Sequence, residues 1–268
     1  MSAVAFRVFL YAGGGTLFAG TAYVTAIVFA PAPEYKPTNE ERQSRFELLA
    51  PSYETSSRQQ EVYLGIGRLR KRALAEHAKG ACLEVGAGTG HNIGLYPAET
   101  VDRVVLCDRA VAMVSAMRQK IHLRLGYEAP EATADWVTGP TPTPLIGEGG
   151  ASKEKEPPYA LQVCSSESLP FPDNSFDTVV DVFGLCSYDQ PTLALREMSR
   201  VCKPDGQLVL IEHGRGTWAR INWYLDKWAP RHASSWGCWW NRDIRRYLRL
   251  AGIQTVSREE KHFGTTHF

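Results

Sequence analysis

Three alternating glycines, Gly86, Gly88 and Gly90, constrain the fold of this chain more than any other feature of its sequence. They follow directly on a short apolar segment, residues 81–85, which predicts a buried strand that runs into a tight turn. Glycine lets a backbone turn with positive φ, or pass close to a ligand with no Cβ between them. A dinucleotide-binding turn would place a third glycine at His91. We therefore predict a different ligand-facing turn, with a helix that starts near His91.

Apolar strand-like segments alternate with helical segments along the rest of the chain. The predicted strands after the glycines span residues 101–107, 159–163, 176–183, 207–212 and 253–261, with a stub at 265–268. The predicted helices between them span residues 110–125, 191–201 and 241–250, the last capped by Asn241. This alternation predicts an α/β fold, a doubly wound and mostly parallel sheet of seven strands. Residues 129–158 are one-third proline and glycine without periodicity, which predicts a flexible surface insertion.

The amino-terminal segment has the composition of a membrane anchor. Residues 8–30 carry no charge, and at 1.5 Å per residue they would extend about 34 Å, enough for a bilayer core of about 30 Å. A signal peptide or a long buried helix are the alternatives. Small residues at four-residue spacing within the segment would let partner helices approach. More basic residues follow the segment than precede it, which favours a catalytic domain on the cytosolic or matrix side.

The remaining organisation follows from these boundaries. We predict an anchor over residues 1–33, a linker with helices at 38–49 and 57–78 within residues 34–78, and a catalytic domain over residues 79–268. The net charge of +1 gives no field that would attract nucleic acid, so a nucleic-acid partner is not expected. None of the six cysteines forms a C-x-x-C pair, which indicates buried thiols in a reducing compartment and disfavours a metal site.

Two carboxylates near the glycines are candidate ligand-binding groups. Asp108 ends the second predicted strand about 20 residues past the glycines, where a carboxylate can accept hydrogen bonds from ribose hydroxyls. It is equally suited to cap the helix that follows. Glu84, just ahead of the loop, either reaches a ligand amino group or makes a structural hydrogen bond to the turn.

Three further motifs follow the glycine loop in a fixed order. They are Ser166-Glu167-x-Leu-Pro-Phe, Asn174-Ser-Phe-Asp177 and Lys203-Pro-Asp-Gly206. Together with the loop, their order and intervals resemble the class I S-adenosylmethionine-dependent methyltransferases, whose sheet is Rossmann-like. A narrower resemblance rests on Gly65-Ile-Gly-Arg-Leu-Arg-Lys-Arg72, Leu185-Cys-Ser187, Ile211-Glu-His-Gly214 and Gly237-Cys-Trp-Trp-Asn-Arg-Asp-Ile244. In these segments the chain resembles the Oms-type mitochondrial membrane methyltransferase-like proteins and the membrane-bound thiol methyltransferases. More distantly, it resembles the ubiquinone and menaquinone methyltransferases.

The resemblance implies S-adenosyl-L-methionine as the cofactor and no metal. It implies that the cofactor is held by Glu84, Gly86, Gly88, Gly90, Asp108, Ser166 and Glu167. The quinone-type enzymes have Asp at the position of Ser165, next to the adenine, so we expect one charge-assisted contact to be weaker here; the thiol-methylating relatives also lack this carboxylate.

The residues that would meet the methyl acceptor are less clearly marked. His213 follows the fifth predicted strand and is either a general base or a structural side chain. Cys186, at the end of the fourth strand, is expected to line the wall of the site. Six of the seven tryptophans fall between Trp218 and Trp240, a pattern typical of a membrane interface, an apolar ligand pocket or a subdomain core.

These observations favour a membrane-anchored methyltransferase that acts on a small, lipophilic acceptor. The alternative is a methyltransferase-like subunit with little or no turnover that helps to build a mitochondrial membrane complex through partner helices. The resemblance implies a single-pass protein of the mitochondrial inner membrane with its catalytic domain in the matrix, or else of the endoplasmic reticulum membrane. The lipid bilayer, contacted through residues 8–30, is the expected partner besides the acceptor.

Overall fold

The computed structural model describes residue 25, residues 28–140 and residues 156–268. The chain divides after Glu34 into two compact units, and the second extends from Tyr35 to Phe268. Nearly all of the predicted anchor over residues 8–30 lies outside the described residues. Within the described ranges, no helix combines the length and the apolar character needed to cross a bilayer.

The second unit is built on a seven-stranded sheet, as predicted. In chain order the strands are β1 (Gly80–Val85), β2 (Val101–Asp108), β3 (Tyr159–Val163), β4 (Phe176–Val182), β5 (Cys202–His213), β6 (Glu260–Lys261) and β7 (Thr266–His267). Across the sheet they lie in the order β3-β2-β1-β4-β5-β7-β6. The first five strands are mutually parallel, and β7 runs antiparallel to both of its neighbours. The strand order reverses direction between β1 and β4, which is where open α/β sheets bind ligands.

Helices cover both faces of the sheet. They are α1 (Asn39–Leu49), α2 (Tyr53–Tyr63), α3 (Ile66–His77), α4 (Val111–Leu125), α5 (Ala134–Thr138), α6 (Pro191–Val201), α7 (Ala219–Trp236) and α8 (Ile244–Ala251), with a 3₁₀ turn at Ala50–Ser52. One apolar layer joins the sheet to α3 and α4, through side chains such as Leu74 and Met117. A second layer on the opposite face joins it to α6, through Leu195 and Met198.

Local chemistry sets the entry into the catalytic unit. The Thr38 hydroxyl accepts from the Glu41 N–H (3.2 Å), and the Glu41 carboxylate accepts from the Thr38 N–H (2.7 Å). This capping box starts α1 at the predicted position. The helix predicted over 57–78 is wrong as a single element, because Gly65, with a φ of +65°, separates α2 from α3.

Three other predicted elements differ from the structure. Residues 90–96 form successive turns rather than the helix predicted from His91, and Gly94 has a φ of +82° there. Of the strand predicted over 253–261, only Glu260–Lys261 is a strand, which is β6. The last helix begins at Ile244 rather than at 241, because the Asp243 carboxylate accepts from the Arg246 N–H (3.0 Å) and caps it.

The described part of the predicted insertion packs against the domain. Ala129, Ala132 and Val137 are buried, and Glu131 forms an isolated parallel bridge with Leu161 of β3. The section from residue 129 to 140 therefore packs against the sheet edge through one bridge to β3 and the short helix α5. Residues 141–155 lie outside the described residues.

Candidate functional site

A pocket opens at the carboxyl ends of the central strands. Its walls come from α1 and α2, the glycine turn, the end of β2 with the start of α4, and the segments that follow β3 and β4. The lining residues are Gln43, Phe46, Tyr53, Gly86, Gly88, Asp108, Arg109, Met113, Cys164, Ser165, Ser166, Glu167, Val182, Phe183, Gly184, Ser187 and Tyr188. Including its open mouth, the space measures about 690 Å³.

The glycine turn needs its glycines for two different reasons. Gly86 and Gly88 have φ of +62° and +58°, in the left-handed region that disfavours any Cβ. A Cβ on Gly86 would also lie 2.6 Å from the hydroxyl oxygen of Tyr188. At Gly88 the nearest atom would be a ring carbon of Tyr53, 4.0 Å away. Gly86 therefore permits packing within the protein, whereas Gly88 leaves open space that a ligand can approach.

Asp108 joins the glycine turn to the helix that follows β2. Its Oδ2 accepts from the Gly88 N–H and its Oδ1 from the Ala110 N–H, both at 2.9 Å. Burial raises the pKa of this carboxyl, and the two backbone hydrogen bonds oppose that rise. Each carboxylate oxygen has a second lone pair, so Asp108 can serve the fold and still accept from a diol in the pocket. Asp108 is not the N-cap of α4, because that position is Ala110, which has no side-chain cap; the ribose role stays a prediction.

Glu84 lies beneath the loop, away from the pocket surface. Its carboxylate accepts from the Asn92 amide (3.0 Å) and from the Tyr96 hydroxyl (2.7 Å), and the side chain is buried. Burial raises its pKa, against the effect of these two hydrogen bonds. Asn92 also accepts from Arg70, whose guanidinium contacts Glu61 at 2.9 Å. Of the two roles considered for Glu84, its contacts match the structural one.

The segment after β3 lies across the pocket from the glycine turn. Ser165, Ser166 and Glu167 all line it, and the Ser165 hydroxyl accepts from the Glu167 N–H at 3.2 Å. One oxygen of Glu167 accepts from the Gln190 N–H at 2.7 Å, which fixes the carboxylate near the start of α6. Gly90, by contrast, lies outside the lining and packs against Ile93.

Several pocket residues were not marked by any sequence motif. Tyr188 donates its hydroxyl to the buried Asp181 (3.1 Å), next to the glycine turn. Phe183 has a φ of +61°, which is strained for an aromatic residue and is typical of functional sites. Gln43 and Phe46 reach the pocket from α1, although they are distant from it in sequence. The order of the strands could have suggested Phe183, which directly follows β4, but no spacing pattern could have identified the others.

The candidate base His213 lies outside the pocket lining, beside two cysteines. Its Nε2 is 3.8 Å from the sulfur of Cys238, and its ring packs against Phe183 with centroids 5.3 Å apart. Burial alone would lower the pKa of His213, but the neighbouring Cys186 thiolate raises it overall. Burial would also raise the pKa of Cys186, yet its contacts with Cys238 and His213 lower it well below the ordinary value. The sequence places these side chains far apart, and the fold brings them together.

The tryptophan-rich segment forms α7 and the turn after it. Trp240 donates its indole N–H to the Leu225 carbonyl (2.9 Å) and stacks on His232 at 4.1 Å. Trp218 and Trp223 are about half exposed. None of the tryptophans between 218 and 240, all of them described, lines the pocket.

Comparisons with known proteins agree with this geometry. A sequence model described as "Methyltransferase domain" matches residues 143–210. The chain is 30% identical over 219 residues to "Methyltransferase OMS1, mitochondrial" of Saccharomyces cerevisiae, which is 81% of this chain and 43% of the yeast protein. It is 30% identical over 178 residues to "Demethylmenaquinone methyltransferase" of Renibacterium salmoninarum, 64% of this chain and 58% of that protein. The chain thus spans less than two thirds of either relative.

A solved structure shows the same fold. The putative methyltransferase in complex with the Trm112 activator of Haloferax volcanii superposes with a TM-score of 0.55. The two are 17% identical, and the superposition covers 81% of this chain and 80% of the other.

Proposed function

We propose that this chain, which belongs by sequence and fold to the class I S-adenosylmethionine-dependent methyltransferase family, transfers a methyl group to a small, lipophilic acceptor from a membrane-anchored position. The observation that carries the proposal is the convergence of Gly88, Asp108 and Glu167 on one pocket.

The pocket suits a nucleoside with a cationic sulfur. The Asp108 carboxylate retains acceptor capacity that would let it hold the ribose hydroxyls, and Gly88 offers a surface without a Cβ. Ser166 and Glu167 face them from the segment after β3. S-adenosyl-L-methionine, when bound, supplies the activated methyl group. Glu84 and Gly90 would shape the loop from behind.

The protein's own contribution is alignment and exclusion of water. Methyl transfer from a sulfonium is an in-line displacement, so the nucleophile must be held opposite the leaving sulfur. The ring of Tyr53 and the strained Phe183 both line the pocket and would restrict the acceptor's approach. His213 packs behind Phe183 and lies outside the pocket lining, so its position favours a structural role over that of a general base.

The lipophilic acceptor and the membrane location have separate support. The uncharged segment 8–30 is long enough for a bilayer. The similar yeast protein is named mitochondrial, and the similar bacterial enzyme is named for a quinone substrate. We therefore propose a single-pass protein of the mitochondrial inner membrane with the catalytic unit in the matrix. Protease protection of the catalytic unit in intact mitochondria, lost when the inner membrane is opened, is the expected result.

Cofactor binding by the full chain in detergent tests the site. Asp108→Asn keeps one oxygen but sets an NH₂ group against a backbone N–H, and it removes the charge that ribose hydroxyls would contact. Loss of one hydrogen bond to a charged group, about 1.5–3 kcal/mol, corresponds to an affinity about 10- to 100-fold weaker by calorimetry. Asp102→Asn, on the exposed amino end of the same strand, is the matched control. No heat of binding by the unmodified chain, or equal affinity in all three proteins, would refute the proposal.

A second function is favoured by one observation. Ser165 lines the pocket where the quinone-type enzymes have a carboxylate, and its hydroxyl is engaged by the Glu167 N–H. Weaker cofactor contact would suit a subunit that assembles a membrane complex through partner helices. Cofactor binding without turnover on any thiol or quinone precursor would support this function, and turnover would exclude it.

A further inference from the structure

Two cysteines and a histidine from three separate parts of the chain meet beside the pocket. Cys186 follows β4, His213 ends β5, and Cys238 follows α7. One ligand atom of each lies within 4.8 Å of those of the other two. Both cysteines are buried, at 1% and 8% exposure, and neither forms a disulfide.

We propose that Cys186, His213 and Cys238 bind a zinc ion. In tetrahedral zinc sites, Zn–S bonds of about 2.3 Å and Zn–N bonds of about 2.0–2.1 Å place two sulfurs about 3.8 Å apart and a sulfur and a nitrogen about 3.6 Å apart. The observed separation of 3.8 Å between His213 Nε2 and the Cys238 sulfur agrees with this geometry. Thiolate and imidazole ligands favour zinc over the harder calcium and magnesium ions.

His232 is the fourth ligand in this proposal. Its Nε2 lies 3.2 Å from the Cys238 sulfur, and its ring centroid is 6.3 Å from that of His213. Stacking on Trp240, with planes 15° apart, holds the imidazole in place. Two thiolates and two imidazoles complete a tetrahedral set of the kind that structural zinc ions use.

The backbone around both cysteines is held independently of any ion. The Trp239 N–H donates to the carbonyl of Cys186 at 2.8 Å, which ties the two cysteine segments together. The guanidinium of the buried Arg42 donates to the carbonyls of Ser187 (2.9 Å) and Gly237 (3.0 Å), the residues next to the two cysteines. A site whose ligands are positioned before binding loses less conformational entropy when the ion binds.

The other buried cysteines provide a contrast. Cys82 and Cys107 lie within β1 and β2, with apolar neighbours in the two core layers. They match the expectation that cysteines here behave as small hydrophobic residues. The expectation of no metal relied on the lack of a C-x-x-C pair, but these ligands converge only through the fold.

Zinc binding by the full chain tests the proposal. The chain is purified in detergent without a histidine tag, kept reduced, stripped of metal by dialysis against a chelator, and titrated with Zn²⁺ in competition with a chromophoric chelator. We expect one zinc per chain. Cys186→Ser and Cys238→Ser should each weaken binding about 100-fold or more, and His232→Gln about 10-fold or more. Cys202→Ser, a buried cysteine at the opposite end of β5 from His213, should stay within about twofold of the unmodified chain.

Cobalt spectroscopy of the unmodified chain gives a result that does not depend on the folding of any variant. Co²⁺ bound by two thiolates in a tetrahedral site should show intense thiolate-to-metal absorption in the near ultraviolet. Absence of that absorption, substoichiometric zinc, or equal losses in Cys202→Ser and Cys186→Ser would overturn the site. Unchanged affinity in His232→Gln would overturn the fourth ligand. The result is independent of the proposed function, because zinc binding requires no cofactor.

Discussion

Replacing Gly86 or Gly88 with alanine should separate the cost of backbone strain at positive φ from the cost of a steric clash with Tyr188. Both residues have φ close to +60°, so the backbone strain of an added Cβ is nearly the same at the two positions. Their surroundings differ. A Cβ on Gly86 meets the Tyr188 hydroxyl oxygen at 2.6 Å, whereas the nearest atom to a Cβ on Gly88 lies at 4.0 Å.

The expected magnitudes follow from these contacts. Alanine in the left-handed region costs about 1–2 kcal/mol, which should be the whole effect of Gly88→Ala on the free energy of unfolding. In Gly86→Ala the ring of Tyr188 must also move, because the new Cβ would lie 2.6 Å from its hydroxyl oxygen. Its hydroxyl then leaves Asp181, a fully buried carboxyl whose other oxygen has no partner. Leaving a buried polar group unpaired costs about 1–3 kcal/mol more.

Urea unfolding of the full chain in detergent measures both variants. We expect Gly86→Ala to lower the free energy of unfolding by about 2–5 kcal/mol and Gly88→Ala by about 1–2 kcal/mol. In a Tyr188→Phe background, which removes the hydroxyl, the cost of Gly86→Ala should fall to that of Gly88→Ala. The explanation fails if the two glycines cost the same in the unmodified chain, or if Tyr188→Phe leaves the difference intact.

Two further predictions concern partly buried ion pairs. Burial alone would raise the pKa of Glu61, but hydrogen bonds and charge from its two basic neighbours, His91 and Arg70, lower it to about 2. Its contribution of about 2–3 kcal/mol to the free energy of unfolding should be full above pH 4.5 and be lost as the pH falls toward 2. In Glu61→Gln, the free energy of unfolding should therefore vary less with pH over that range. A pH dependence parallel to that of the unmodified chain would contradict this. Arg200 donates to the carbonyls of Leu169 (2.9 Å) and Phe171 (2.8 Å) as well as to two carboxylates. Arg200→Lys cannot keep this fork and should cost about 1–2 kcal/mol in the same urea assay, whereas a change below about 0.5 kcal/mol would show that the contacts are replaceable.

The sheet could be predicted from the sequence because its signals are local. β1 to β4 are continuous apolar runs bounded by turn residues, and their predicted limits agree with the structure to within about one residue. The carboxyl ends of those strands place Gly88, Asp108 and Glu167 at one edge of a parallel sheet. Residues that follow the carboxyl ends of neighbouring parallel strands lie close together, so their proximity can be predicted without knowledge of side-chain contacts.

The parts that could not be predicted depend on contacts between distant segments. β6 and β7 are two residues each and are held by pairing with β5, so no run of hydrophobic residues marks them. The break between α2 and α3 rests on one glycine inside a pattern that otherwise fits a continuous helix. The Cys186, His213 and Cys238 cluster has no spacing rule, because its members come from the ends of three different elements.

The outer wall of the pocket belongs to α1, which lies outside the sheet. Gln43 and Phe46 of this helix line the pocket, and Arg42 anchors it to the carbonyls of Ser187 and Gly237. Moving this wall away from the pocket would require the guanidinium to leave both carbonyls. We expect ligand release to quicken when α1 detaches, an opening that amide hydrogen exchange over residues 39–49 would time directly. The rate of amide exchange over residues 39–49 and the rate of ligand release should therefore change in the same direction.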